Sequence, residues 1–308
     1  METQTHLVFS DCQSLQKIYI ALLDSFVELA DLLRFHACGR KEAGSQNAFG
    51  DIQLECDTKS DEIIFNHLKK TGEVAYGLSE EQPKLVELGG NKYIVTFDPL
   101  DGSSIIGCNW TVGTIFGIWK NDEKVLIGHK TKDLIASGCC MYGPRTTAVI
   151  YNEKTKTVNE YSLTLNKQKQ LEWILSLPNI VIKPQGKLFA PGNLRAASEN
   201  PNYRQCINNW IDQGYTLRYT GGMVPDIYQI FIKGSGIFTT ISSKSHAVKL
   251  RVLYEVAPLA HLVEMAKGKS SDGKNTLMEL EVTSYDQRSG IIVGSSEEVD
   301  KILSTLNQ

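Results

Sequence analysis

Apolar residues at Leu15, Ile18, Leu22, Phe26, Ala30 and Leu33 recur every three or four positions. That is the spacing of one helical face, and it predicts a helix over 14–35 opened by a serine cap. A second helix is expected from the capping residue Ser60 to a stop at Gly72, with Asp61 and Glu62 in the first turn, where the helix dipole favours negative charge. The pattern then changes period. Short apolar runs at 74–78, 93–97 and 112–119 predict strands, and the polar turns 120–124 and 152–156 between β-rich runs predict hairpins. Pro178, Pro184 and Gly186 punctuate the middle of the chain and suggest a boundary between residues 1–184 and 185–308. Beyond it the pattern predicts helices at 201–212 with Asn200 as cap, 225–233, 258–267 and 297–306, and strands at 236–241 and 290–293. Helices interleaved with hairpins indicate an α+β or layered α/β architecture.

Composition narrows the function. The 308 residues are 42% hydrophobic, enough for one large core or two medium ones. The net charge of −3 supplies no general field for nucleic acid, so an anionic ligand must be met by a local cluster of cations or metal. No uncharged run reaches the roughly 20 residues that span a bilayer, and no membrane partner is expected. Seven scattered cysteines without metal-ligand spacing fit a reduced, cytoplasmic setting, and Cys139-Cys140, within an apolar run, fit the core.

The candidate chemistry lies in Asp98-Pro99-Leu100-Asp101-Gly102-Ser103-Ser104. The two carboxylates leave an apolar strand across a proline that fixes one backbone angle, so both can converge on one point. Two carboxylates in a partly buried cleft repel unless a proton or cation neutralises them, and hard divalent ions such as magnesium or manganese prefer such oxygens. Gly102 permits close backbone approach, and Ser103 and Ser104 offer N–H and hydroxyl donors to a phosphate. A plain acidic surface turn would explain Asp101-Gly102 alone.

The full seven-residue string resembles the signature of the lithium-sensitive sugar and inositol phosphatase superfamily. The longer match, over about 50–294, is to the sugar bisphosphatases that act on fructose 1,6-bisphosphate and sedoheptulose 1,7-bisphosphate. The resemblance implies a layered αβαβα fold of two α/β subdomains, the first for metal and the reacting phosphate, the second for the sugar and the distal phosphate. It implies two or three Mg2+ or Mn2+ ions held by Glu80, Asp98, the Leu100 carbonyl, Asp101 and Glu255. Asp51, Asp57 and Glu81 resemble the carboxylates that position and activate the attacking water, and Gly102, Ser103 and Ser104 the phosphate cradle. Asn193, Arg218, Tyr219 and Lys249 resemble the distal-phosphate pocket, in which the matching arginine comes from a neighbouring subunit, implying a homodimer or homotetramer.

Two segments, Tyr142-Gly143-Pro144-Arg145-Thr146-Thr147 and Phe189-Ala190-Pro191-Gly192-Asn193-Leu194-Arg195, resemble the members that cleave the seven-carbon sugar. Thr239-Thr240 stands where the fructose-cleaving members carry a tyrosine. The expected activity is therefore release of the 1-phosphate of sedoheptulose 1,7-bisphosphate, with a fructose-specific or dual-specificity enzyme as the alternative. An inositol monophosphatase fits less well, because Tyr254-Glu255 replaces that family's Asp near a Trp. A non-catalytic sensor need not have kept every acidic position. The early helix lacks the AMP-binding Thr and Glu of the family, although Lys92 and Tyr93 match its AMP-contact pair. Cys38 lacks the partner cysteine of the light-regulated enzymes, Ser45 standing near its place. Neither AMP inhibition nor thiol activation is expected.

Overall fold

The computed structural model describes residues 6–36, 42–46 and 52–307. Helix α1 (Gln13–Phe35) buries Leu15, Ile18, Leu22, Phe26 and Ala30, as their spacing requires. Its N-cap is Cys12, with no side-chain cap bond. Ser14 lies inside the first turn, where its hydroxyl accepts the Lys92 ammonium at 2.6 Å. Strands β1 (Glu42–Gln46) and β2 (Ile52–Leu54) pair antiparallel. Helix α2 (Glu55–Lys70) starts ahead of Ser60, because Glu55 and Asp57 already supply negative charge to its first turn. Ser60 belongs instead to a buried stripe that begins polar (Asp57, Ser60, Asp61) and ends apolar (Ile64, Phe65, Leu68). Gly72, at φ 66°, turns the chain out of α2.

The first sheet holds β3 (Val74–Ser79), β4 (Val86–Glu87), β5 (Tyr93–Asp101), β6 (Val112–Lys120), β7 (Ala136–Tyr142), β8 (Thr146–Asn152), β9 (Thr157–Leu165) and β10 (Leu171–Leu177). A short helix, α3 (Ser103–Ile106), follows β5. The strand order is β10-β9-β8-β7-β6-β5-β3-β4, with β3 and β5 parallel and the other pairs antiparallel. The turn at 152–156 closes the predicted hairpin between β8 and β9. The turn at 120–124 does not. Strands β6 and β7 do pair, but the chain between them loops out because fully buried Leu126 anchors it in a cluster with Trp119, Leu134 and Val252.

The second sheet orders β12-β11-β13-β15-β14 from β11 (Leu188–Gly192), β12 (Thr216–Leu217), β13 (Ile237–Thr240), β14 (Lys269–Ser271) and β15 (Ile291–Gly294). Helices α4 (Pro201–Asp212), α5 (Met223–Lys233), α6 (Ala257–Met265) and α7 (Ser296–Leu306) intervene. Helix α4 has the predicted bounds, with the Asn200 side chain accepting the Tyr203 amide at 2.9 Å.

Alternation along the strands builds the layers, since successive side chains point to opposite faces. Phe116, Cys140, Ala148 and Ile150 face α1 and α2, whereas their neighbours Ile115, Cys139 and Val149 face α5 and α6. In the second sheet Ala190, Phe238, Ile291 and Val293 cover the other side of α5 and α6, while Phe189, Ile237 and Ile292 meet α4 and α7. The result is the layered αβαβα, α+β fold, with the adjacent cysteines facing opposite layers of the core.

Candidate active site

Three carboxylates meet at the end of the strands. Glu80 follows β3, Asp98 lies near the end of β5, and Glu255 lies in a wide π-type turn, Val252–Val256, just ahead of α6. Ligand atoms of the three all lie within 4.8 Å of one another. Because β3 and β5 are adjacent and parallel, their C-terminal ends deliver Glu80 and Asp98 to the same edge. The third carboxylate is brought in by Thr96, whose hydroxyl donates to the Leu253 carbonyl at 2.8 Å and accepts the Trp119 indole N–H at 3.0 Å. Glu255 is oriented by the Arg251 amide, which donates to its Oε2 at 2.6 Å. The Leu100 amide likewise donates to Asp98 Oδ1 at 2.9 Å.

Burial, followed by repulsion from Glu80, raises both Asp98 and Glu255 well above the usual carboxylate range. Such a set favours binding a cation. Asp101 is also buried and near enough to raise Asp98 and Glu255 further. Its oxygens accept the Met223 and Val224 amides at 3.1 and 2.6 Å, at the start of α5. Burial pushes Asp101 up to about 6 against the opposing pull of these two N–H groups. Each oxygen retains lone-pair capacity beyond that bond.

Gly102 sits at φ 86°, left-handed, directly before α3. A Cβ there would lie 3.5 Å from the Gly222 Cα, an ordinary contact, so the glycine serves the backbone turn more than close approach. Ser103 and Ser104 form the first turn of α3, Ser103 half-buried and Ser104 exposed. Asp57 is buried in the first turn of α2, and Glu81 is half-buried beside Glu80. Asp51 lies outside the described residues, as do Phe49, Gly50 and Cys38.

The remaining candidate residues lie in the second half of the chain. Arg218, Tyr219 and Lys249 are exposed. Asn193 follows β11 in a left-handed conformation, and its Nδ2 donates to the carbonyls of Ile241 at 2.7 Å and His246 at 2.9 Å. It thereby pins the loop leading to Lys249. Thr239 is buried with its hydroxyl 2.9 Å from the Tyr203 phenol oxygen. Thr240 packs so closely on Gly192 that a Cβ there would fall 2.4 Å from the Thr240 Oγ1.

Residues 13–176 match the fructose-1-6-bisphosphatase N-terminal domain and residues 182–307 the C-terminal domain of the same name. The chain belongs to the fructose-1,6-bisphosphatase family. It is 40% identical over 297 residues to a chloroplastic sedoheptulose-1,7-bisphosphatase of Triticum aestivum, covering 96% of this chain and 73% of that one. It is 36% identical to a class 1 fructose-1,6-bisphosphatase of Campylobacter concisus, covering 93% and 96%. A crystal structure provisionally assigned as a sedoheptulose-1,7 bisphosphatase from Toxoplasma gondii superposes with a TM-score of 0.87 at 35% identity, covering 97% and 96%.

As a member of this family the chain is a sugar bisphosphatase, a phosphoric monoester hydrolase dependent on divalent metal. Its own residues fit such an ion, because three converging carboxylates, two of them buried, supply the hard oxygen donors that divalent cations select. Two residues beside the carboxylate group escape a reading of the sequence. Arg251 is 1% exposed with its guanidinium 3.9 Å from Glu80, one positive charge at the edge of the carboxylate group. Its position in an apolar run, Leu250-Arg251-Val252-Leu253, is the one sequence signal of burial. Asp61 reads as a helix-dipole charge, yet it is 2% exposed and faces the turn that carries Glu80 and Glu81.

Proposed function

We propose that this bisphosphatase hydrolyses the 1-phosphate of sedoheptulose 1,7-bisphosphate to give sedoheptulose 7-phosphate and phosphate. The observation that carries the sugar preference is the pair Thr239-Thr240 at the end of β13, short side chains packed away against Tyr203 and Gly192. In this reading they spare the sugar a bulky ring at that point. The seven-carbon reading is also supported by the likeness to the Triticum and Toxoplasma proteins. The alternative, fructose 1,6-bisphosphate or both sugars, rests on the likeness to the Campylobacter enzyme.

Phosphate monoesters hydrolyse very slowly unless the phosphoryl charge is neutralised, water is aligned in line and the leaving alkoxide is stabilised. Two or three Mg2+ or Mn2+ ions supply that charge stabilisation when bound. In this reading Glu80, Asp98, the Leu100 carbonyl, Asp101 and Glu255 hold them. Asp57 and Glu81 accept the proton of the attacking water, Asp51 and Glu81 position it, and Gly102, Ser103 and Ser104 orient the reacting phosphate. Asn193, Tyr219 and Lys249 form the distal-phosphate pocket, completed by Arg218 from a second copy in a homodimer or homotetramer. Residues 1–184 form the metal domain and 185–308 the sugar domain. The cysteines Cys12, Cys56, Cys108, Cys139, Cys140 and Cys206 are free thiols, which accords with a cytoplasmic setting.

Phosphate release from the two bisphosphates, with and without magnesium, tests this reading. The expected result is metal-dependent turnover with the higher kcat/KM for sedoheptulose 1,7-bisphosphate. A clear preference for the fructose substrate would overturn the sugar assignment.

A further inference from the structure

The turn that presents Glu80 and Glu81 is closed by its neighbours. The Ser79 amide donates to the Gln82 carbonyl at 3.2 Å, and the Gln82 amide donates back to the Ser79 hydroxyl at 2.9 Å. On one side the turn is tied to β5 through the Glu80 amide and the Phe97 carbonyl at 3.1 Å. On the other it meets α2, where the Gln82 side-chain amide donates to Asp61 Oδ2 at 2.5 Å.

Asp61 is 2% exposed, and a buried carboxylate is costly to desolvate. Burial and the nearby negative charges of Glu81 and Glu62 push it up to about 6, opposed by its bonds to Ser79 and Gln82. An apolar residue would suit the stripe better, since the same face continues with Ile64, Phe65 and Leu68. What the carboxylate provides is a tether. It joins α2, which carries Asp57 one helical turn earlier, to the turn carrying Glu80 and Glu81.

We infer that Asp61, through Gln82, is a positioning residue that fixes the Glu80-Glu81 turn, and with it the separation of Asp57 and Glu81, for metal binding and water activation. The inference rests on the roles given to those three carboxylates above.

Two readouts on the full-length protein test it: Mn2+ affinity by calorimetry or electron paramagnetic resonance, and kcat against KM. Asp61→Ala and Gln82→Ala should each weaken Mn2+ binding by about tenfold and lower kcat, with KM within about twofold. Because they remove one shared contact, the double variant should be no worse than Asp61→Ala alone. Asp61→Asn, able to accept from Gln82 through Oδ1, should stay within about threefold of wild type. Gln82 is exposed at the surface, so its truncation keeps the test valid if Asp61→Ala folds poorly. Unchanged Mn2+ affinity in Gln82→Ala, additive losses in the double variant, or an Asp61→Asn as defective as Asp61→Ala would each overturn the inference. Glu80→Gln and Glu81→Gln provide the control for the underlying roles. If these two bind Mn2+ and turn over normally, the roles themselves fail, whereas their collapse beside a normal Gln82→Ala rejects only the tether.

Discussion

The carboxylate of Asp101, at the end of β5, accepts the Val224 amide at 2.6 Å from the first turn of α5, across 123 positions of chain. The acidic segment is thereby fixed to α5, in the second half of the chain. Helix α5 in turn presents a positive dipole end to a buried carboxylate, a favourable pairing.

Asp101→Asn keeps one acceptor oxygen but turns an NH2 toward one of the two backbone donors, and it removes a negative charge from the proposed metal site. Activity should fall at least about a hundredfold, while the melting temperature drops by only a few degrees. Steady-state turnover with a thermal melt measures both. Near-normal turnover would refute the metal role.

Gly113 faces Asp101 across the β5–β6 pair, and a Cβ there would lie 2.5 Å from the Val224 Cγ1 and 2.7 Å from the Cys140 carbonyl oxygen. Gly113→Ala should cost about 1–3 kcal/mol through overpacking and should lower kcat by displacing the start of α5. Val224→Ala in the same chain removes the Cγ1 contact but leaves the Cβ of residue 224 at 2.6 Å, so it should recover only a small part of both losses. Urea denaturation and kcat on the single and double variants decide the matter, with equal defects in the two counting against it.

His261 is buried on α6, its Nδ1 2.8 Å from the Ser137 hydroxyl and its ring edge-on to Tyr151. Burial lowers its pKa from 6.5 to about 4. Between those values the unfolded chain binds a proton that the folded chain refuses, so stability rises with pH. The contribution is present above pH 6.5 and is lost as the pH falls toward 4. It reaches at most about 3 kcal/mol. Wild type should therefore lose more stability than His261→Gln between pH 7.5 and 5, read from urea midpoints. Identical pH dependence in the two proteins would contradict the argument.

Lys92 and Tyr93, which resemble an AMP-contact pair, are engaged by other residues of this chain. The Lys92 ammonium bonds Glu73 at 2.9 Å and Ser14 at 2.6 Å, Lys17 bonds the other Glu73 oxygen at 2.8 Å, and the Tyr93 hydroxyl meets the Cys12 sulfur at 3.4 Å. Millimolar AMP should leave activity within about twofold. Strong inhibition in a simple titration would show that the network opens to admit the nucleotide.

Helices and strands set by local periodicity were legible, as the agreement of α4 with its Asn200 cap shows. Elements shaped by distant contacts were not. The start of α2 was obscured because Ser60 carries a cap-forming side chain yet points into the core. The connection after β6 read as a hairpin because its length depends on where Leu126 is buried. The acidic site divides the same way. The Asp98 to Ser104 string announces metal and phosphate chemistry, whereas Asp61 and Arg251 carry no sign of their neighbours.

By itself the sequence determined the periods of the elements, the clustered acidic residues and the kind of chemistry they support, because spacing, capping and ligand preference act over a few residues. The tertiary structure decided which carboxylates meet. Parallel pairing of β3 with β5 brings Glu80 to Asp98, and the Thr96 hydroxyl bonded to the Leu253 carbonyl brings the turn of Glu255 to both, across 157 positions of chain. Such contacts are fixed by how the layers pack, and side-chain spacing along the chain does not encode them.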